Sequence, residues 1–121
     1  MRWLWIDCIT EHEPATRLVA IKNVSSAEEY MHDYIVDGKP IMPFSLMIEG
    51  MAQTGGILVG STSGFKDKVI LAKISAATLE YDVTVGDSIR YDVTIERIDE
   101  AGASTGGTID RRVAGGHAWE R

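Results

Sequence analysis

Pro43-Phe44-Ser45-Leu46-Met47-Ile48-Glu49-Gly50-Met51-Ala52-Gln53-Thr54-Gly55-Gly56-Ile57-Leu58-Val59-Gly60 is the longest apolar stretch of the chain, and its reading decides the fold. Proline suits the first turn of a helix, because its φ is already helical and its missing donor is not needed there. The stretch predicts a helix over 43–60, about 27 Å long at 1.5 Å per residue, ending in the loop Gly60-Ser61-Thr62-Ser63-Gly64. It is apolar on nearly every side, so it must be buried all round, in a core or in a membrane. Its larger polar residues, Ser45, Glu49 and Gln53, stand four apart and share one face. A central Glu49, the nearby Gln53 and glycines at 50, 55, 56 and 60 make a poor membrane span, and no second hydrophobic segment follows. A core helix is the remaining choice. There a carboxylate must be paired, hydrogen-bonded or protonated. Spacing alone leaves open whether Glu49 does chemistry or emerges at a sheet edge. Each glycine costs about 1 kcal/mol relative to alanine in a helix interior, which points to close approach by a sheet or a second subunit.

Upstream, Arg17–Val24 is rich in β-branched residues and predicts a strand after a turn around Pro14. Ser25 with Glu28 three residues on is a capping-box pattern that predicts a short helix through about His32, broken by Asp37-Gly38-Lys39-Pro40. Downstream, Lys68–Val83, Ser88–Asp99 and Ala103–Arg112 read as strands. Val85-Gly86-Asp87 and Asp99-Glu100-Ala101-Gly102 supply turn chemistry between them. Between Ile89 and Ile95 the odd positions are apolar and the even ones polar, as in a half-exposed antiparallel strand. The predicted class is α+β, one long helix against a curved antiparallel sheet.

The 121 residues suffice for one domain, 1–121. A formal charge of −6 with scattered basic residues argues against nucleic acid as a partner. Cys8 is the only cysteine, which excludes an intrachain disulfide or a thiolate metal cluster and fits a reducing compartment. The apolar run from Met1 is broken at Asp7, too short and too acidic for a secretory signal, so a cytoplasmic location is expected.

The run Gly38-Lys39-Pro40-Ile41-Met42-Pro43-Phe44-Ser45-Leu46-Met47-Ile48-Glu49-Gly50-Met51-Ala52-Gln53 resembles the central-helix signature of the hotdog-fold β-hydroxyacyl-(acyl-carrier-protein) dehydratases of fatty-acid synthesis. In that family a G-x-P-x-M-P segment leads into a helix carrying E-x-M-A-Q. Val19–Val24, Val69–Ile74 and Val85-Gly86-Asp87 are also similar to strands and a turn of the family. The resemblance implies a hotdog fold paired into a homodimer or a higher trimer of dimers, with two active sites at each dimer interface. It implies loss of water from a 3-hydroxyacyl thioester to give the trans-2-enoyl thioester, with no metal and no organic cofactor. A histidine takes the α-proton, and a carboxylate from the partner's helix, here Glu49, handles the departing hydroxyl. Helix N-terminal amides polarise the thioester carbonyl.

The chain departs from the family at two positions. Tyr34 stands where the family histidine belongs, and His32 lies two residues upstream as the available base. Phe44 replaces a commonly small residue; a bulky ring there either packs in the core or shortens the acyl pocket. Glu49 and His32 are therefore the candidate catalytic pair, and Tyr34, Met42, Pro43, Phe44, Ser45 and Gln53 the candidate substrate-binding residues. His12 and His117 have no motif context and are expected at the surface.

The resemblance implies a lyase. Two alternatives remain: an acyl thioesterase, in which Glu49 activates water, and a non-catalytic acyl-thioester or carrier-protein binding module that has lost the histidine. The expected partners are an acyl carrier protein or an acyl-CoA thioester. A carrier-protein dock would need a local basic patch from residues such as Lys22, Lys39, Lys66 or Lys68. The tail 111–121, with two glycines and little β pattern, is expected to add no further strand, leaving dimer pairing to complete the fold.

Overall fold

A computed structural model of the protein describes residues 5–28, 35–62, 82–99 and 102–119. Within them the chain runs β1 (Cys8–Glu13), β2 (Arg17–Asn23), β3 (Ile35–Val36), β4 (Lys39–Pro40), α1 (Phe44–Thr62), β5 (Ser88–Asp99) and β6 (Gly102–Arg112). Four strands form one antiparallel sheet in the order β1-β2-β5-β6, and β3 pairs with β4 as a separate hairpin. One helix against a curved antiparallel sheet is the predicted α+β architecture.

Strand β2 closes one residue before the predicted Val24, and β5 spans the predicted 88–99. The alternation in β5 has the expected consequence: Ile89, Tyr91 and Val93 are buried, and their even-numbered neighbours point to the opposite face. On β5 that outer face is polar, with Arg90, Asp92 and Thr94. Arg17 grips Asp92 in a bidentate ion pair at 2.8 and 2.9 Å. Arg90 binds Asp110, its cross-strand neighbour, at 2.6 Å, and Trp119 lies between the Arg90 and Arg112 guanidinium groups at 4.7 and 4.5 Å.

Strand β1 was not predicted. All six of its residues are exposed, because it is an edge strand, and without a buried face it carries no core periodicity to read. It turns into β2 through Pro14, where the Thr16 amide donates to the Glu13 carbonyl at 3.0 Å and Ala15 takes a left-handed φ of 61°. The Ser25–Glu28 segment forms a turn, with the Ser25 hydroxyl accepting from the Ala27 amide at 3.1 Å. The remainder of the short helix predicted through His32, and most of the strand predicted over 68–83, lie outside the described residues.

Helix α1 starts at Phe44 and runs to Thr62, two residues past the predicted end. Ser61 and Thr62 extend it by bonding their hydroxyls to the Leu58 and Val59 carbonyls, at 2.6 and 2.7 Å. Met47, Gly50, Thr54, Gly55, Leu58 and Gly60 are buried against the sheet. Tyr91, Met42, Met47, Ala20, Val24, Val83, Ile89 and Ile6 form the larger core cluster, and Leu18, Leu58 and Val93 a smaller one. The predicted close approach occurs at Gly50, which Tyr91 abuts, and at Gly55, where an added Cβ would lie 3.3 Å from the Thr105 hydroxyl.

The turn before β5 is tied down by Asp87, which is 3% exposed. Its carboxylate accepts from the Thr84 amide at 3.0 Å and from the Ala114 amide at 3.2 Å, and its carbonyl accepts from the Val24 amide at 2.9 Å. Gly86 has φ +93°, and any side chain there would meet the Ala114 methyl at 3.0 Å.

Candidate active site

The polar stripe does not follow the core around it. Within this chain Ser45 and Glu49 are exposed and Gln53 is half-buried, which corrects the expectation of a helix buried all round. The sheet covers one side of α1, and the stripe faces away from it. Glu49 is therefore not a carboxylate trapped in the core.

The stripe is nonetheless organised. The Trp5 backbone amide donates to Gln53 Oε1 at 2.8 Å, and Gln53 Nε2 donates to Glu49 Oε1 at 3.4 Å. An amide side chain has one accepting and one donating end. Fixing the oxygen on Trp5 therefore turns the nitrogen toward Glu49. The spacing of 49 and 53 made this pair legible in the sequence. Trp5 was not singled out, because a backbone N–H leaves no side-chain signature.

The remaining candidates divide. Pro43 caps the helix: its carbonyl accepts from the Leu46 amide at 3.0 Å and the Met47 amide at 3.4 Å. Phe44 is half-buried and packs against the larger core cluster, the first of the two readings open for it. Met42 is fully buried in that cluster, and its amide donates to the Val83 carbonyl at 2.8 Å. Ser45 lies one turn before Glu49 on the exposed face. His32 and Tyr34 lie outside the described residues. His12 and His117 are both exposed.

Lys22 is removed from the possible docking patch. It is 8% exposed and bonds Glu28, with Asp7 at 3.4 Å. Burial works against its charge, but the hydrogen bond and charge of Glu28, helped by Asp7, outweigh it and hold the ammonium pKa above the ordinary 10.5. Lys39, on the β3–β4 hairpin, is exposed, and Lys66 and Lys68 lie outside the described residues.

Among the described residues no three His, Cys, Asp or Glu side chains are grouped to hold a metal ion. No helix among them is long and apolar enough to cross a membrane.

The sequence matches the FabA-like domain family over residues 2–117. It is similar to the 3-hydroxyacyl-[acyl-carrier-protein] dehydratase FabZ of Chloroflexus aggregans, with 38% identity over 97 residues, 79% of this chain and 67% of the relative. The protein of that name from Ligilactobacillus salivarius is 38% identical over 96 residues, 78% of this chain and 68% of the relative. The one from Desulforamulus reducens is 32% identical over 119 residues, 98% of this chain and 78% of the relative.

Proposed function

The chain belongs to the family of FabA-like domains, and on that premise we propose that it is a 3-hydroxyacyl-(acyl-carrier-protein) dehydratase. The observation that carries the reading is the placement of Glu49, oriented by Gln53 on an exposed helix face of a chain whose relatives bear that name. In the forward reaction His32 takes the proton α to the thioester carbonyl. The β carbon–oxygen bond breaks, Glu49 gives its proton to the departing hydroxyl, and the products are water and the trans-2-enoyl thioester. The N-terminus of α1, opening just after Pro43, offers backbone donors to the carbonyl where negative charge develops.

An exposed carboxylate is a poor place for this chemistry, because water weakens every electrostatic contact there. The reading therefore includes a second copy of this chain packed over the exposed face of α1, so that Glu49 acts opposite the partner's base. Lys39 is the exposed basic residue nearest in sequence to the site, and the reading uses it in contact with an acidic carrier protein.

The test is product identity. Purified protein given 3-hydroxyacyl thioesters of several chain lengths on a carrier protein is expected to produce enoyl thioester, read by its ultraviolet absorbance. Release of free thiol instead would make the protein a thioesterase. Tight binding without conversion would make it an acyl-binding module, the reading favoured by Tyr34 at the family's histidine position.

A further inference from the structure

Gly50 follows Glu49 directly in α1, at a buried position where alanine would be the better helix former by about 1 kcal/mol. Tyr91 explains the glycine. A Cβ built on Gly50 would collide with the Tyr91 hydroxyl and with Cζ, and would lie 2.9 Å from Cε2. The tip of the phenol thus stands directly on the helix backbone, with the hydroxyl as the leading atom.

That hydroxyl is costly. Tyr91 is fully buried, and its Oη has no hydrogen-bond partner among the described residues. A buried hydroxyl left unpaired costs about 1–3 kcal/mol, a cost phenylalanine would avoid in the same ring volume. Burial, then the charges of Asp7 and Glu28, push the phenol pKa well above its ordinary 10, so the group stays neutral. The contact with Gly50 gives the oxygen a role in length. It adds one atom between the floor of the sheet and the helix, immediately beside the residue that carries the candidate acid.

We propose that the Tyr91 hydroxyl is a spacer that sets the height of α1 over β5 at Gly50, and so makes Tyr91 a positioning residue for Glu49. Without it the helix settles toward the sheet, and Glu49 and Gln53 move with it. Displacements of about 1 Å at a reacting group cost up to about 100-fold in rate. One atom removed under the helix at Gly50 should cost about 10-fold.

The kinetic arm of the test rests on the dehydratase reading; the spectroscopic arm does not. Tyr91→Phe is expected to lower kcat about 10-fold with KM within about twofold of wild type. Its urea midpoint should be unchanged or raised, since an unpaired hydroxyl is gone. In the amide NMR spectrum the Gln53 side-chain resonances, identified by their loss in Gln53→Leu, should shift. Gln53 resonances at their wild-type positions in Tyr91→Phe overturn the proposal whatever the turnover, and so does an unchanged kcat in an active protein. If the wild type itself turns nothing over, the dehydratase reading fails and the resonances still decide the spacer.

Discussion

Gln53→Leu separates the two ends of the hydrogen-bond chain that orders the polar stripe. Leucine is one atom shorter than glutamine but close to it in helix propensity, so α1 itself is not weakened. Two bonds are lost. The Trp5 amide, now donating to Gln53 Oε1 at 2.8 Å in a half-buried setting, is left without that acceptor, at a cost of about 1 kcal/mol. For a domain of this size that is a fall in Tm of about 4 °C. The second bond, from Gln53 Nε2 to Glu49 at 3.4 Å, is long and exposed, so it adds little to stability. Its value is orientation, and its loss should appear in turnover. The expected fall in kcat is about 10-fold, or about 1.4 kcal/mol of transition-state stabilisation, with KM nearly unchanged. Steady-state kinetics on a 3-hydroxyacyl thioester, beside a thermal melt of the same preparation, reads both quantities. Wild-type kcat with the expected drop in Tm would refute the orienting role and leave Gln53 as a tether for the N-terminal segment.

Gln53→Glu tests the same site through charge: it replaces the Nε2 donor with a second carboxylate beside Glu49, and the repulsion should lower the urea midpoint at pH 7 relative to wild type, whereas an unchanged midpoint would mean that the two side chains do not meet. Asp87→Ala strands the Thr84 and Ala114 amides and should cost about 2–4 kcal/mol by urea denaturation, whereas a loss below 1 kcal/mol would mean that the turn is held elsewhere. Lys22 and Tyr91 both carry raised folded-state pKa values, so the stability linked to them is fully present below about pH 10 and falls as pH rises beyond it. Tyr91→Phe should therefore flatten the alkaline limb of a Tm–pH profile, and a limb of unchanged slope would contradict the burial of the phenol.

The parts of the fold that were legible in the sequence are those with one buried face. Strand β5 announced itself because Ile89, Tyr91 and Val93 alternate with residues that form the outer ion pairs. Helix α1 was legible from its proline start and its length, but not its environment. Uniform apolarity predicted burial on all sides, whereas α1 packs on the sheet and leaves Ser45 and Glu49 exposed. Edge strand β1 was invisible because Cys8–Glu13 has no inward face. Lys22 looked like a surface cation, and only the register of β2 shows that it turns inward toward Glu28. The site was half legible. The four-residue spacing joined Glu49 to Gln53, while the backbone donor at Trp5, far away in sequence, had no pattern that could betray it.

Turnover of Glu49→Gln tests most directly whether Glu49 is the acid of a dehydration reaction. Glutamine keeps the length and the exposed position and accepts the Gln53 hydrogen bond, but it cannot deliver a carboxylic proton. Wild-type protein is expected to interconvert 3-hydroxyacyl and enoyl thioesters, and the variant to fold with a Tm within about 2 °C of wild type while losing at least about 100-fold in kcat. Enoyl formation at an undiminished rate by the folded variant would contradict it.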